Sequence, residues 1–204
     1  MSLPDFLEQY HASGREKGDG YSAGMFEDLT ADERRLALGL LLVRGLAGDT
    51  VDLAGLRYVA DADAIARLRA AQGQGPFLRP DRDMVRRETL FQLTGEPTEL
   101  MPLLAYIDGR ADQPRRQAAE LLAQLPLPSV FADLIALRLT SWRWRDLALP
   151  LATAWLNSQG QAAYDVSGFQ SSLPLVRTIV DRPWWRRAAL LREITTQLQS
   201  QDHA

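Results

Sequence analysis

Leu100-Met-Pro-Leu-Leu-Ala-Tyr-Ile107, a short break, and then Pro114-Arg-Arg-Gln-Ala-Ala-Glu-Leu-Leu122 carry the clearest signal of helix pairing in the chain. Leu100, Leu103, Leu104 and Ile107 fall at i, i+3, i+4 and i+7, one apolar stripe of a helix. Asp108-Gly109 supplies a stop. Ala118, Leu121, Leu122 and Leu125 repeat the stripe on a second helix that ends before Pro126 and Pro128. The wording recurs, with Val130-Phe-Ala-Asp-Leu-Ile135 before Arg143-Trp-Arg-Asp-Leu147, and Leu173-Pro-Leu-Val176 before Trp185-Arg-Arg-Ala-Ala-Leu-Leu191. Arg87, Arg116 and Arg145 are each 29 positions apart. A period of that size built from two helices predicts an all-α solenoid of stacked antiparallel helix pairs, each burying the apolar face of its neighbour.

Working outward, Phe131, Leu134, Ile135 and Leu139 open the next pair, and Leu147, Leu151, Ala154 and Trp155 continue it, with Pro150 expected to kink the run. Residues 157–172 carry turn formers and no helical stripe, and stretch the spacing from Arg145 to Arg187 to 42. They read as an insertion projecting from one repeat, either a binding element or a tolerated surface loop. Upstream, Val85 to Leu93 is a helix closed by Thr94-Gly95. Thr30-Ala-Asp-Glu33 is a capping box ahead of Leu36, Leu40 and Val43, ended by Gly45 and Gly48. Asp61 or Asp63 caps a helix bearing Ile65 and Leu68, and Leu3 to His11 is a short helix. Gly14, Gly18, Gly20 and Gly24 read as a flexible connector. The expected organisation is one domain over 1–204, with irregular helices in 1–80 and regular pairs in 81–204.

Composition narrows the chemistry. With no cysteine, disulfides, thiolate metal sites and thiol nucleophiles are excluded. Arginine or an acid interrupts every leucine-rich run, and Met1-Ser-Leu-Pro-Asp-Phe-Leu-Glu lacks the basic start of a signal peptide, so the chain reads as cytoplasmic with no membrane partner. Its histidines, His11 and His203, have no companion ligands, and no nucleophile motif occurs, so no metal, cofactor or catalytic residue is expected. The formal charge of −3 disfavours general nucleic-acid binding without excluding it. Residues 1–110 carry 13 Lys+Arg against 18 Asp+Glu, whereas 111–204 carry 10 against 8. Lys17 is the single lysine beside 22 arginines, so the cations are almost all forked, bidentate donors.

Two features stand out as candidate contact residues. All five tryptophans lie between Trp142 and Trp185, among Arg143, Arg145, Arg182, Arg186 and Arg187. They form either an interface surface, since Trp and Arg dominate binding hot spots, or filling for inter-helix grooves. The early helices gather Glu27, Asp28, Asp32, Glu33, Asp49, Asp52, Asp61 and Asp63, either as solvated faces and N-caps or as a surface that meets a basic protein.

The helix pairs of 81–198 resemble HEAT-like repeats, in which a proline or aspartate opens a helix and an arginine stands near the start of the second. Asp108 with Arg116 and Asp181 with Arg187 match those positions, while Thr140 replaces the aspartate of the middle repeat. The opening Met25-Phe-Glu-Asp-Leu-Thr-Ala-Asp-Glu-Arg-Arg-Leu-Ala-Leu, with Leu53-Ala-Gly-Leu56, resembles HEAT-like proteins found as immunity proteins beside bacterial toxins. That resemblance implies a non-catalytic solenoid or adaptor that binds and blocks a basic toxin domain through Asp28, Asp32, Asp61 and Asp63, with Trp142, Trp144, Arg145 and Trp185 as further contacts. Trp184-Trp-Arg-Arg-Ala-Ala also resembles helical-repeat DNA glycosylases, which would give Asp146 or Asp181 a catalytic role flanked by Trp142, Trp144 and Trp185. A scaffold subunit of a larger assembly is the third reading.

Overall fold

The computed structural model describes residues 3–201, which leaves His203 outside the described residues. They are all-α, without a strand among them. The chain divides into two compact units, Met1–Pro102 and Leu103–Ala204, the division falling in the first turn of α8.

The first unit holds α1 (Leu3–His11), α2 (Gly14–Gly18), α3 (Gly24–Glu27), α4 (Ala31–Leu46), α5 (Thr50–Gly55), α6 (Ala62–Ala70) and α7 (Pro80–Thr94). The capping box forms as expected: the Thr30 hydroxyl accepts from the Glu33 amide, and the Glu33 carboxylate accepts from the Thr30 amide at 2.9 Å. The core side of α4 differs from expectation. Ala37, Leu41, Leu42 and Gly45 are buried, while Leu36 and Val43 are exposed. Gly45 does not stop the helix but lets α5 approach it, since a Cβ there would lie 3.1 Å from the Leu53 Cα. The expected flexible connector is also corrected, because it folds into α2 and α3 and carries Phe26 and Lys17 inward.

Lys17 closes this unit around a buried acid. Its ammonium lies 2.5 Å from Oδ1 of Asp52, which is fully buried, and the Tyr21 hydroxyl donates to the same oxygen at 2.5 Å. Arg44 Nε stands 2.8 Å from Oδ2, close enough for ion pairing but without hydrogen-bond alignment. Two hydrogen-bond donors on Oδ1 and a guanidinium beside Oδ2 offset the cost of burying this charge, although Oδ2 itself takes no aligned hydrogen bond. A second buried set lies on α7, where Arg86 and Arg87 both bind Asp83, and Arg86 also donates to the Leu68 carbonyl at 3.1 Å.

The second unit holds most of α8 (Met101–Asp108), then α9 (Asp112–Ala123), α10 (Phe131–Leu139), a 3₁₀ turn over Trp142–Leu147, α11 (Ala148–Ser158), α12 (Val166–Asp181) and α13 (Trp184–Gln201). Leu100, Leu103, Leu104 and Ile107 are all buried, as the stripe requires. α11 is the centre, buried from Leu151 to Ser158 and packed against α9, α10 and α12. Burial of each large apolar side chain there contributes about 1.5–3 kcal/mol. α12 lies on α11, and α13 on α10. The expected kink at Pro150 does not occur, because α11 starts at Ala148 and places Pro150 in its first turn, where no intrahelical amide bond is lost. The expected insertion shrinks as well. Asp165 caps α12 by accepting from the Gly168 amide, so residues 166–172 are helical and bury Ser172 ahead of Val176 and Ile179. No helix of the described residues is long and apolar enough to cross a membrane.

Candidate partner-binding surface

The surface begins with the C-terminal end of α8, whose last carbonyls have no partners within the helix and carry the negative end of its dipole. Four donors gather there. Arg115 Nε reaches the Ile107 carbonyl at 3.2 Å, the Trp144 indole N–H reaches the same oxygen at 3.3 Å, and Arg143 donates to the Asp108 carbonyl. Arg138 grips the Asp108 carboxylate with both Nε and Nη2. Trp144 is thereby held beside the guanidinium groups of Arg138 and Arg143, centred 5.9 and 5.2 Å from its ring.

Holding Trp144 inward turns its neighbours outward, because the 3₁₀ turn is kinked at Trp144, with φ −113° and ψ 23°. Trp142 is 55 % exposed, and the Arg145 guanidinium stacks 3.6 Å from the centre of its ring. Such a cation–π stack, even at an exposed site, is worth about 0.5–1 kcal/mol and holds both side chains in one arrangement. α13 packs on this same turn and presents Trp185, 63 % exposed and edge-on to Trp184. Trp185 lines a shallow hollow with Arg182 and Arg186. Of the five tryptophans, only Trp155 is fully enclosed, so filling of helix grooves accounts for one, and two stand open to solvent.

Asp146 is half exposed and lies 3.5 Å from Arg115, and Asp181 is exposed at the end of α12. The aspartates and arginines matched by position in the sequence do not pair with each other. Asp108 takes Arg138 instead of Arg116, and Arg187 donates to the carbonyls of Leu139, Val180 and Arg182 instead of to Asp181. With carbonyls alone around it, burial holds the Arg187 guanidinium below its ordinary pKa. Arg86, Arg115 and Trp144 form an inward register of the same 29-residue spacing, one place before Arg87, Arg116 and Arg145, of which Arg87 is also buried while Arg116 and Arg145 are exposed.

In the first unit the four acids expected as contacts all reach the surface, by different routes. Asp28 follows α3, and Asp32 pairs with Arg35 at 3.2 Å. Asp61 caps α6 through the Ala64 amide at 2.9 Å, and Asp63 stands exposed in its first turn. Arg34 joins the segments that carry them, donating to the Phe26 carbonyl at 2.7 Å and the Tyr58 carbonyl at 3.1 Å. Asp49 and Asp52, grouped with them by sequence, belong instead to the Lys17 and Arg44 cluster. Among the described residues no group of three or more His, Asp or Glu side chains is placed to hold a metal ion. Asp108, Arg115 and Arg138, the group that decides which tryptophan faces out, stand outside the Trp and Arg concentration that marks this surface in the sequence. No family model matches the chain, and neither a curated protein nor a solved structure does.

Proposed function

We propose that the chain is a non-catalytic helical binding protein, an immunity protein or adaptor that blocks a basic toxin domain, and that the Trp142–Arg145 stack is its chief anchor. The carrying observation is the contrast between two tryptophans two residues apart. Trp144 is locked by hydrogen bonding and cations, while Trp142 stands open beneath a guanidinium. An exposed aromatic already held in place loses little conformational freedom on docking, and Trp and Arg are the residues most enriched among hot spots. The acids Asp28, Asp32, Asp61 and Asp63 fit the second half of the reading, since exposed charges steer an oppositely charged partner more than they hold it. HEAT-like stacking of the helix pairs is part of the same proposal.

The test starts from the partner that co-purifies with the native protein, followed by association and dissociation rates for variants. Trp142→Ala and Arg145→Ala are expected to speed dissociation by about tenfold or more, the range of a hot-spot truncation. Asp61→Lys with Asp63→Lys is expected to slow association and weaken its salt dependence. Unchanged rates for all of them would overturn the placement, and base release from alkylated DNA by the wild type would overturn the non-catalytic reading.

A further inference from the structure

A groove of about 580 Å³ runs between α9, α11 and the start of α12 in the second unit. Its apolar lining includes Leu149, Pro150, Tyr164, Val166, Phe169 and Leu173. Leu149, Tyr164 and Val166 are exposed, Val166 at 78 %, an unusual setting for three large apolar side chains lining one groove. Its only charged lining residues are two carboxylates, Glu120 on α9 and Asp165 at the head of α12. Asp165 stays ionised, since the Gly168 amide and the Ser167 hydroxyl hold its carboxyl below its ordinary pKa.

The wall is built rather than loose. Oδ1 of Asp165 takes both of those hydrogen bonds, at 2.6 and 2.9 Å, which fixes the turn before α12. Gly168 closes the loop against the helix so tightly that a Cβ there would lie 1.7 Å from the Ala162 carbonyl oxygen. The position of Tyr164 and Val166 therefore depends on a glycine at 168, three residues into the helix.

We infer that this groove docks a short basic segment of a partner protein, inserting two apolar side chains into the lining while flanking Arg or Lys side chains meet Glu120 and Asp165. The argument is charge complementarity. An apolar channel with carboxylates and no cation favours an amphipathic segment of positive charge and opposes an acidic one. The inference rests on the protein-binding reading, extends it to a second surface, and names the chemistry of part of the partner.

The experiment is selection from a phage-displayed library of random peptides against the immobilised full chain, followed by affinity measurements on the selected peptides. The expected consensus pairs bulky apolar residues with Arg or Lys. Peptide binding should weaken at least tenfold in Glu120→Arg, an exposed position whose change leaves the core intact, and should weaken on raising the salt. Gly168→Ala should also weaken it by displacing the wall, and Trp142→Ala should leave it unchanged. An acidic or uncharged consensus, absence of any consensus, or full binding by Glu120→Arg would overturn the proposal, as would self-association of the protein that the groove variant abolishes. Because the anchor on the other surface is read from Trp142→Ala and the native partner, either surface can fail without the other.

Discussion

Lys17 and Asp52 meet at 2.5 Å with the carboxylate fully buried, and they are 35 residues apart in the chain. The contact ties α2 to α5, so the glycine-rich entry segment is held by one ion pair as much as by Phe26. Asp52→Ala removes the fully buried partner of Lys17 and Arg44 and leaves them only Asp49, at 3.8 and 3.3 Å, and the expected loss is about 3–5 kcal/mol, as for other broken buried pairs. Tyr21→Phe removes one donor to the carboxylate and should cost about 1.5–3 kcal/mol. Urea unfolding checks both, and a loss under about 1 kcal/mol for Asp52→Ala would show the cluster is not buried as described.

Lysine-directed reagents give an independent view of the same contact. In the native protein an amine-reactive ester is expected to leave Lys17 unmodified, and to label it after unfolding. Peptide mass mapping at both conditions reads the outcome, and fast native labelling at Lys17 would contradict its burial.

Trp142→Ala and Trp144→Ala should separate cleanly in stability. The first removes an exposed side chain and is expected to change stability by no more than about 0.5–1 kcal/mol. The second empties a half-buried site and takes away one of the two donors to the Ile107 carbonyl, with an expected loss of about 2–4 kcal/mol. Thermal unfolding of the two variants decides it, and equal losses would mean that Trp142 is also structural.

Glu88 gives a pH dependence of unusual sign. Burial raises its carboxyl pKa above the ordinary value, against weaker opposing effects of Arg57 and a hydrogen bond from Gln92. A raised carboxyl pKa means the folded state holds its proton longer, so stability falls as pH rises from the unfolded value, 4.5, through the folded one. Glu88→Gln should therefore stabilise the protein at neutral pH and change little in acid. Unfolding midpoints at about pH 4 and pH 7 test this.

Asp83 acts in the opposite direction. Burial alone would raise its pKa, but the hydrogen bonds from Arg86 and Arg87 hold it below the ordinary 3.8. Its stabilising effect is complete above that value and is lost as pH falls through the lower folded one. Asp83→Asn should cost about 3–5 kcal/mol at neutral pH. It should also leave a shallower acid limb, which a pH series of denaturant midpoints would show.

Apolar periodicity was enough to place the helices where packing and local signals agree. Leu100 through Ile107 kept their stripe, Thr30 and Glu33 formed their box, and Gly95 closed α7 in the left-handed conformation. It failed where a distant group decides. Nothing near Gly14–Gly18 shows that its lysine will be drawn inward, because Asp52 supplies the reason from 35 residues away. The insertion was overestimated because the signal for α12 is a single cap at Asp165, followed by serines and a glycine that are poor helix formers. The candidate surface was legible as composition, a concentration of Trp and Arg, but not as direction. Which tryptophan faces outward follows from the free carbonyls of α8, and sequence spacing carries no record of that end being capped from Arg115, Arg143 and Trp144.

The burial of Lys17 has an electrostatic consequence beyond the core. Apart from histidine, every exposed basic side chain among the described residues is a guanidinium, which stays charged up to about pH 12. A lysine-rich surface would begin to discharge around pH 10. This one keeps its positive pattern constant in alkali while its acids are already fully ionised. The cationic part of the charge map that a partner meets is thus set by forked, permanently charged donors and not by amines.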